Sequence, residues 1–295
     1  MEPRNQAPAG LSQSQLYLRR LRQHRLALMG CFVLCILFLV TIGAPLLTPY
    51  DPEKVQLQQA KQDPSAQHYF GTDELGRDVF TRCLYGGRIS LLVALLAVAL
   101  SISLGAALGL VAGFYGGMTD NFLMRCVDVM LSYPRYFLLI VIQALFTPSV
   151  ANVILVIGAT SWMQTARIVR GETLSLKGRE YFVAAQAVGA RQARLLLRNI
   201  LPNTLAPIIV ASTLGFADAI LIEASLSFLG LGVPPYVSSC GNMLMTSRTG
   251  ILEKIWWTSV FPGGFIALTM LSFNFVGDGL RDVFDPRQVL LARKG

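Results

Sequence analysis

Several stretches of about twenty apolar residues divide this chain, and the polar segments between them gather its arginines and lysines. A run of that length fits a helix crossing a hydrocarbon core about 30 Å thick. In lipid the backbone must satisfy its own hydrogen bonds, which leaves only helices and closed barrels. No two-residue alternation of the barrel kind occurs, so the runs predict helices. Composition agrees: hydrophobic residues make up 53% of 295 positions and charged residues 14%, too apolar a balance for a chain dissolved in water. The formal charge of +8 raises nucleic acid as a partner. The bases cluster at the ends of the apolar runs, however, where positive-inside topology places them, and no nucleic-acid partner is expected.

Taken in order, the runs predict an all-α polytopic membrane protein with six transmembrane helices. Residues 1–26 form a basic tail, with Arg4, Arg19, Arg20, Arg22 and Arg25 against Glu2. The first span, 27–47, is too long for a signal-peptide core and has no small-x-small cleavage site after it. Residues 48–89 read as a polar extracytoplasmic segment containing Pro49, Pro52 and Pro64. A core of five spans occupies 90–277, at about 90–113, 120–146, 150–169, 204–231 and 255–277, with a cytoplasmic loop at 171–203 and a basic tail at 278–295. Six spans put both termini and the 171–203 loop on the cytoplasmic side, where the bases concentrate.

Within the second span, Ala97, Ser101, Gly105, Gly109 and Gly113 recur at every fourth position, a stripe that lets another helix approach closely. In the third, Arg125 and Asp128 are spaced to pair across one turn. The five cysteines show neither metal-ligand nor disulfide-framework spacing, and Cys31 and Cys35 read as packing residues in an apolar run.

The stretch 183–203, VAAQAVGARQARLLLRNILPN, is unlike the runs around it. Residues 181–188 favour a helix, Gly189 permits a sharp turn, and Pro202 stops the pattern that follows. Ala193, Leu196, Leu197 and Ile200 recur at helical spacing, with Arg191, Arg194 and Arg198 on an adjacent face. Two readings fit this helix–turn–helix. It is a membrane-surface helix with its arginines on lipid phosphate, or a knuckle whose small alanines enter a partner's cleft.

Ala184-Ala185, three residues, Gly189 and then Leu201-Pro202 resemble the cytoplasmic-loop signature of permease subunits of binding-protein-dependent ABC importers. Val183 stands where that family often has an acid, with Glu180 nearby, and Asn199 where a His is common. FGTDELGRDVFTRCLYGGRIS (70–90), EASLSFLGLGVPP (223–235) and FNFVGDGLRDVFDP (273–286) are similar to the oligopeptide/dipeptide/nickel branch in its second-permease, C-type form. Cys240 replaces the Trp that often precedes Gly-Asn-Met there. The resemblance implies a bacterial-type inner-membrane subunit forming half of a translocation pathway. Its partners would be a second, homologous permease, two cytoplasmic ATPase subunits, an extracytoplasmic substrate-binding protein and membrane lipid. It also implies that Glu180, Ala184, Ala185, Gly189, Leu201 and Pro202 form the coupling helix that docks on the ATPase. Peptides are the implied cargo, and nickel or a metal chelate the alternative.

The chain lacks GxxxxGK[ST] and has no Gly-Lys pair, so it has no P-loop for a nucleotide; ATP and Mg would sit on the partner ATPases. Neither His24 nor His68 begins an HExxH, and no GxSxG occurs. A transport subunit that is not an enzyme and binds no cofactor or metal of its own is expected. Asp218 and Glu223 stand out in the fifth span, because a carboxylate at membrane depth costs several kcal/mol unless it meets water or a partner. They are candidates for the pathway, together with Gln164; Gln143 and Asn274 are secondary ones. For Glu223 a structural clamp between helices fits equally well. The rivals of another class are a gradient-driven secondary transporter, whose acids would relay ions, and a membrane scaffold that binds an ATPase without transporting.

Overall fold

The computed structural model describes residues 21–252 and 255–284; the rest of the two tails assigned above to the cytoplasm lies outside these residues. The described residues are helical, apart from loops and a single bridge between Thr72 and Asp78. Helix α1, Arg25–Ile42, starts at His24, whose Nδ1 accepts the Ala27 N–H. A short turn Ala44–Leu47 and a 3-10 turn Leu57–Gln59 lead to α2, Val79–Tyr115. Then come α3, Gly117–Ser132, α4, Arg135–Ala144, and α5, Val150–Lys177. Helix α6 is Glu180–Ala187; Gln192–Arg194 and a π-helical turn Leu195–Ile200 run on into α7, Leu201–Phe228. Helices α8, Cys240–Leu252, and α9, Trp257–Phe284, complete the chain.

The all-α reading holds; length and apolarity alone do not confirm the count of six spans. Among the described residues four helices are long and apolar enough to cross a membrane: α1, α2, Gln192–Phe228 and α9. Counting α3 and α4 as one bent span makes five. The expected third span, 120–146, is broken at Tyr133–Pro134 and bends by 87°. Proline has no N–H to give to the preceding turn and pushes the residue before it out of the helical region; Tyr133 is accordingly extended, at φ −88 and ψ 142. The expected fourth span lies in α5, which is diluted by Asn152, Ser161, Gln164, Thr165 and Arg167. Helix α2 covers the side of α5 that carries Thr165, while Gln164 and Arg167 stay exposed.

That cover is the small-residue stripe. A Cβ on Gly105 would lie 2.6 Å from Thr165 Cβ, one on Gly109 2.5 Å from the Ala166 carbonyl oxygen, and one on Gly113 2.7 Å from Thr173 Cβ. No real Cβ approaches so closely, so the glycines are what allow α2 and α5 to touch from Gly105 to Gly113. Below this seam, Val93, Val153, Ile157, Ile220, Ile222 and Phe273 join α2, α5, α7 and α9 in one core. The expected Arg125–Asp128 pair does not form. Asp128 pairs instead with Arg167, and Asp120 takes Arg170 Nη2 on Oδ2 at 2.6 Å, so both acids of α3 are tied to α5.

Helix α2 begins at Val79, well before 90, because Asp78 caps it and accepts the Thr81 N–H at 2.7 Å. The preceding segment is clasped onto the far elements of the chain. Asp73 Oδ1 accepts the N–H groups of Leu75 and Arg77, both at 2.9 Å; Oδ2 accepts Arg77 Nε at 2.7 Å and Arg82 Nη1 at 2.6 Å. Arg82 is buried and also reaches Ser238, while Trp257 Nε1 donates to the Thr72 carbonyl at 3.0 Å. Asp78 Oδ2 meets His68 Nδ1 at 2.9 Å. Gly76, at φ +71, passes so near the Gln56 carbonyl that a Cβ would sit 1.8 Å from its oxygen.

Candidate functional site

Two places gather the residues singled out by the sequence. The first is the 180–202 knuckle. Helix α6 is held by Phe182, which is buried among Leu110, Leu176, Leu195 and Ile200. Its last turn closes at Gly189, φ +79: the Gly189 N–H donates to the Gln186 carbonyl at 3.0 Å and the Ala190 N–H to the Ala185 carbonyl at 3.2 Å. A Cβ at Gly189 would meet nothing within 4 Å, so the glycine answers to the backbone turn alone. Glu180, Ala184, Gly189 and Pro202 are exposed, Ala185 and Leu201 half-buried. Val183 and Val188 are exposed beside them, Val188 at 88%. Pro202 stands directly after the π-helical turn, in the first turn of α7.

The second half of the knuckle differs from the four-residue pattern read in the sequence. Leu195 and Ile200, five apart, are buried, whereas Leu197 is 61% exposed. The stretch winds as a π-helix, whose wider turn brings i and i+5 to one side. Arg191, Arg194 and Arg198 are all exposed.

The second place is a cavity of about 140 Å³ between α2, α5, α7 and the first turn of α4, whose polar lining includes Ser101, Arg135, Ser161, Gln164 and Asp218. Arg135 Nη1 donates to Asp218 Oδ2 at 3.1 Å, and Nη2 to Ser161 Oγ at 2.9 Å. Arg135 Nε is buried without a partner. The Asp218 side chain is 53% exposed. Asp218 and Gln164 therefore share one cavity, and Glu223 does not line it. Glu223 is fully buried, its Oε2 accepting from Ser90 at 2.7 Å and its Oε1 from Ser227 at 2.9 Å. Five residues turn a helix by roughly 140° from the starting face, which separates the two acids of α7. Gln143 is buried, and neither of its amide atoms has a partner; Asn274 is half-buried.

Arg135 is the residue that the sequence reading missed. A signal was there: an arginine inside an apolar run needs an acid at the same depth, and Asp218 was an acid still without a base. The break at Pro134 brings the two together by aiming the first turn of α4 at α7.

Comparison with known proteins identifies the family. The family described as "Binding-protein-dependent transport system inner membrane component" matches residues 105–289, and "N-terminal TM domain of oligopeptide transport permease C" matches residues 12–68. The dipeptide transport system permease protein of Bacillus subtilis (strain 168) is 42% identical over 277 residues, covering 94% of this chain and 87% of its own. The oligopeptide transport system permease protein of the same organism is 40% identical over 268 residues, 91% of this chain and 88% of that protein. A putative peptide permease protein of Brucella suis biovar 1 (strain 1330) is 42% identical over 284 residues, 96% of this chain and 94% of the relative.

Proposed function

The chain belongs to the family of binding-protein-dependent transport system inner membrane components, and from that premise we propose that it is the C-type permease subunit of an ATP-driven importer of di- and oligopeptides. Its relatives carry dipeptide and oligopeptide permease names over most of their lengths, which supports the cargo class. A second permease would complete the pathway, two cytoplasmic ATPases would bind ATP and Mg, and an extracytoplasmic binding protein would deliver the peptide. Both termini and the knuckle would face the cytoplasm.

The observation that carries the mechanism is the knuckle: a small-residue turn exposed to solvent yet rooted through Phe182 in the core shared by α2, α5 and α7. A push on Ala184 or Gly189 would be transmitted through a packed side chain to the helices that border the cavity. The cavity would form this subunit's part of the pathway, with Asp218 and Gln164 on its wall and Arg135 as a further residue. Glu223, bonded to α2 through Ser90, would hold α7 in register beside it.

The test is uptake by the whole complex in proteoliposomes, with binding protein outside and ATP at the ATPase face. Peptide accumulation that follows ATP hydrolysis is expected. Accumulation driven by an ion gradient without ATP would establish the secondary-transporter reading in its place, and peptide-independent hydrolysis with no uptake would leave only a scaffold.

A further inference from the structure

Resting on the pathway reading, we propose that Arg135 is the receptor for the terminal carboxylate of a peptide in transit, and that Asp218 fills it as a built-in carboxylate when no peptide is present.

The contrast with the clasp at Asp73 motivates this. There a carboxylate takes four donors, from two backbone N–H groups and two arginines, and is buried. At Arg135 the carboxylate is taken by one nitrogen only, at 3.1 Å, with the acid half-exposed to the cavity. A guanidinium binds a carboxylate best through two parallel bonds, and Arg135 keeps Nε unpartnered. A contact of this kind is held loosely and exchanges readily. The surroundings also favour an anion. Arg135 stands in the first turn of α4, whose N–H groups have no side-chain cap and add positive potential. Ser161, which accepts from Nη2, donates its own hydroxyl hydrogen bond to the Ile157 carbonyl and so fixes the guanidinium without neutralising it.

The cavity suits one end of a peptide rather than its length. An arriving carboxylate takes the place of Asp218 on Arg135, and the freed Asp218 then faces the peptide backbone from α7. The return of Asp218 to Arg135 releases the carboxylate for the next step. One residue is thus a receptor and the other its competitor; Arg135 is paired in both states, and the freed carboxylate of Asp218, about half exposed, is left to the water of the cavity.

The experiment uses the complete importer in proteoliposomes with Ala211→Cys on the cavity wall, probed during turnover by a membrane-impermeant thiol reagent and read by mass spectrometry at position 211. Peptides are supplied as free acids and as C-terminal amides, each at a concentration that saturates the binding protein. Free acids are expected to slow labelling about tenfold more than amides, the scale of one charged hydrogen bond. Arg135→Gln should remove the difference. Asp218→Asn should strengthen protection by free acids while slowing uptake, because nothing then displaces the bound carboxylate. Should Arg135→Gln fail to assemble, Arg135→Lys keeps the charge but loses the fork and must lose part of the difference. Equal protection by acids and amides in the unmodified importer, or full discrimination in either Arg135 variant, overturns the receptor role while leaving the pathway reading in place. If no transported peptide protects position 211, the pathway reading itself falls.

Discussion

Gly189 and Asp73 show how differently single residues hold this molecule. At Gly189 there is open space around the missing Cβ, so a substitution acts through the backbone alone. A φ of +79 is costly for any residue with a Cβ and most of all for a β-branched one. Gly189→Val is therefore expected to insert and assemble but to lose peptide-stimulated ATP hydrolysis; full coupling in that variant would return the knuckle to a surface helix. Gly189→Asn, which accepts a positive φ more readily, should keep much of the activity. Single Arg→Gln changes at the exposed Arg191, Arg194 and Arg198 should be mild by the same ATPase measurement. At Asp73 the reverse holds. Asp73→Ala strands Arg82, which is 1% exposed, and removing one partner of a buried pair costs about 3–5 kcal/mol. Asp128→Asn breaks a pair whose side chains are about half exposed, a loss of at most about 1 kcal/mol. Thermal unfolding of the two variants in detergent should separate them clearly, and equal midpoints would mean that the clasp is not a stability element. Gly189 was legible because a glycine between two helical patterns has few other uses. Arg135 was not, because its partner lies 83 positions away and only folding brings them together.

At the scale of elements, what the sequence made legible was periodicity, and what escaped it was breakage. The stripe on α2 was readable from its four-residue spacing, and α5 packs on it as such a stripe allows. The bend at Pro134 was hidden inside a run apolar enough to pass as one span. The π-helical turn at 195–200 replaced the expected face, since hydrophobic spacing presumes 3.6 residues per turn. Helix α8 lies between the expected spans 204–231 and 255–277, where no helix was expected; Asn242 anchors it by donating to the carbonyls of Val233, Pro234 and Val237. The seam between α2 and α5 gives the strongest prediction at this scale. Gly109→Leu cannot be accommodated by a small shift, because its Cβ alone would lie 2.5 Å from backbone of α5. The variant should fail to co-purify as a complex, whereas Leu95→Ala, on an exposed position of α2, should not affect assembly. Intact assembly of Gly109→Leu would show that α2 and α5 separate more freely than their packing implies.

Over the whole molecule, packing direction supplies what hydropathy alone left open. Along α2, Leu100, Gly105, Gly109 and Gly113 meet Gly158, Thr165, Ala166 and Thr173 in ascending order, so α2 and α5 run parallel. Parallel neighbours need a return between them, and α3 and α4 are the only chain available for it. Helix α7 runs back, with Glu223 beside Ser90 and Gly215 beside Val98. Helix α9 reverses again, with Phe216 stacked on Phe273 and Gly277 against Leu214. Helix α1 opposes α9, since Ala27 lies at Gly279 and Gly30 at Ser272. The clasp at 48–78 and the knuckle thus lie at opposite ends of the bundle, and α1 starts at the knuckle end, where α9 finishes. On the proposed orientation, reporters fused near residues 60 and 147 should both read outside and one near 190 inside. The reporter at 147 is the discriminating one. If α3 and α4 only dipped into the membrane and returned, it would read inside, and an α5 that crossed from there would have to lie antiparallel to α2. The order of contacts along the glycine seam forbids that arrangement, so an inside reading at 147 would contradict the packing of α2 on α5 and not merely the number of crossings.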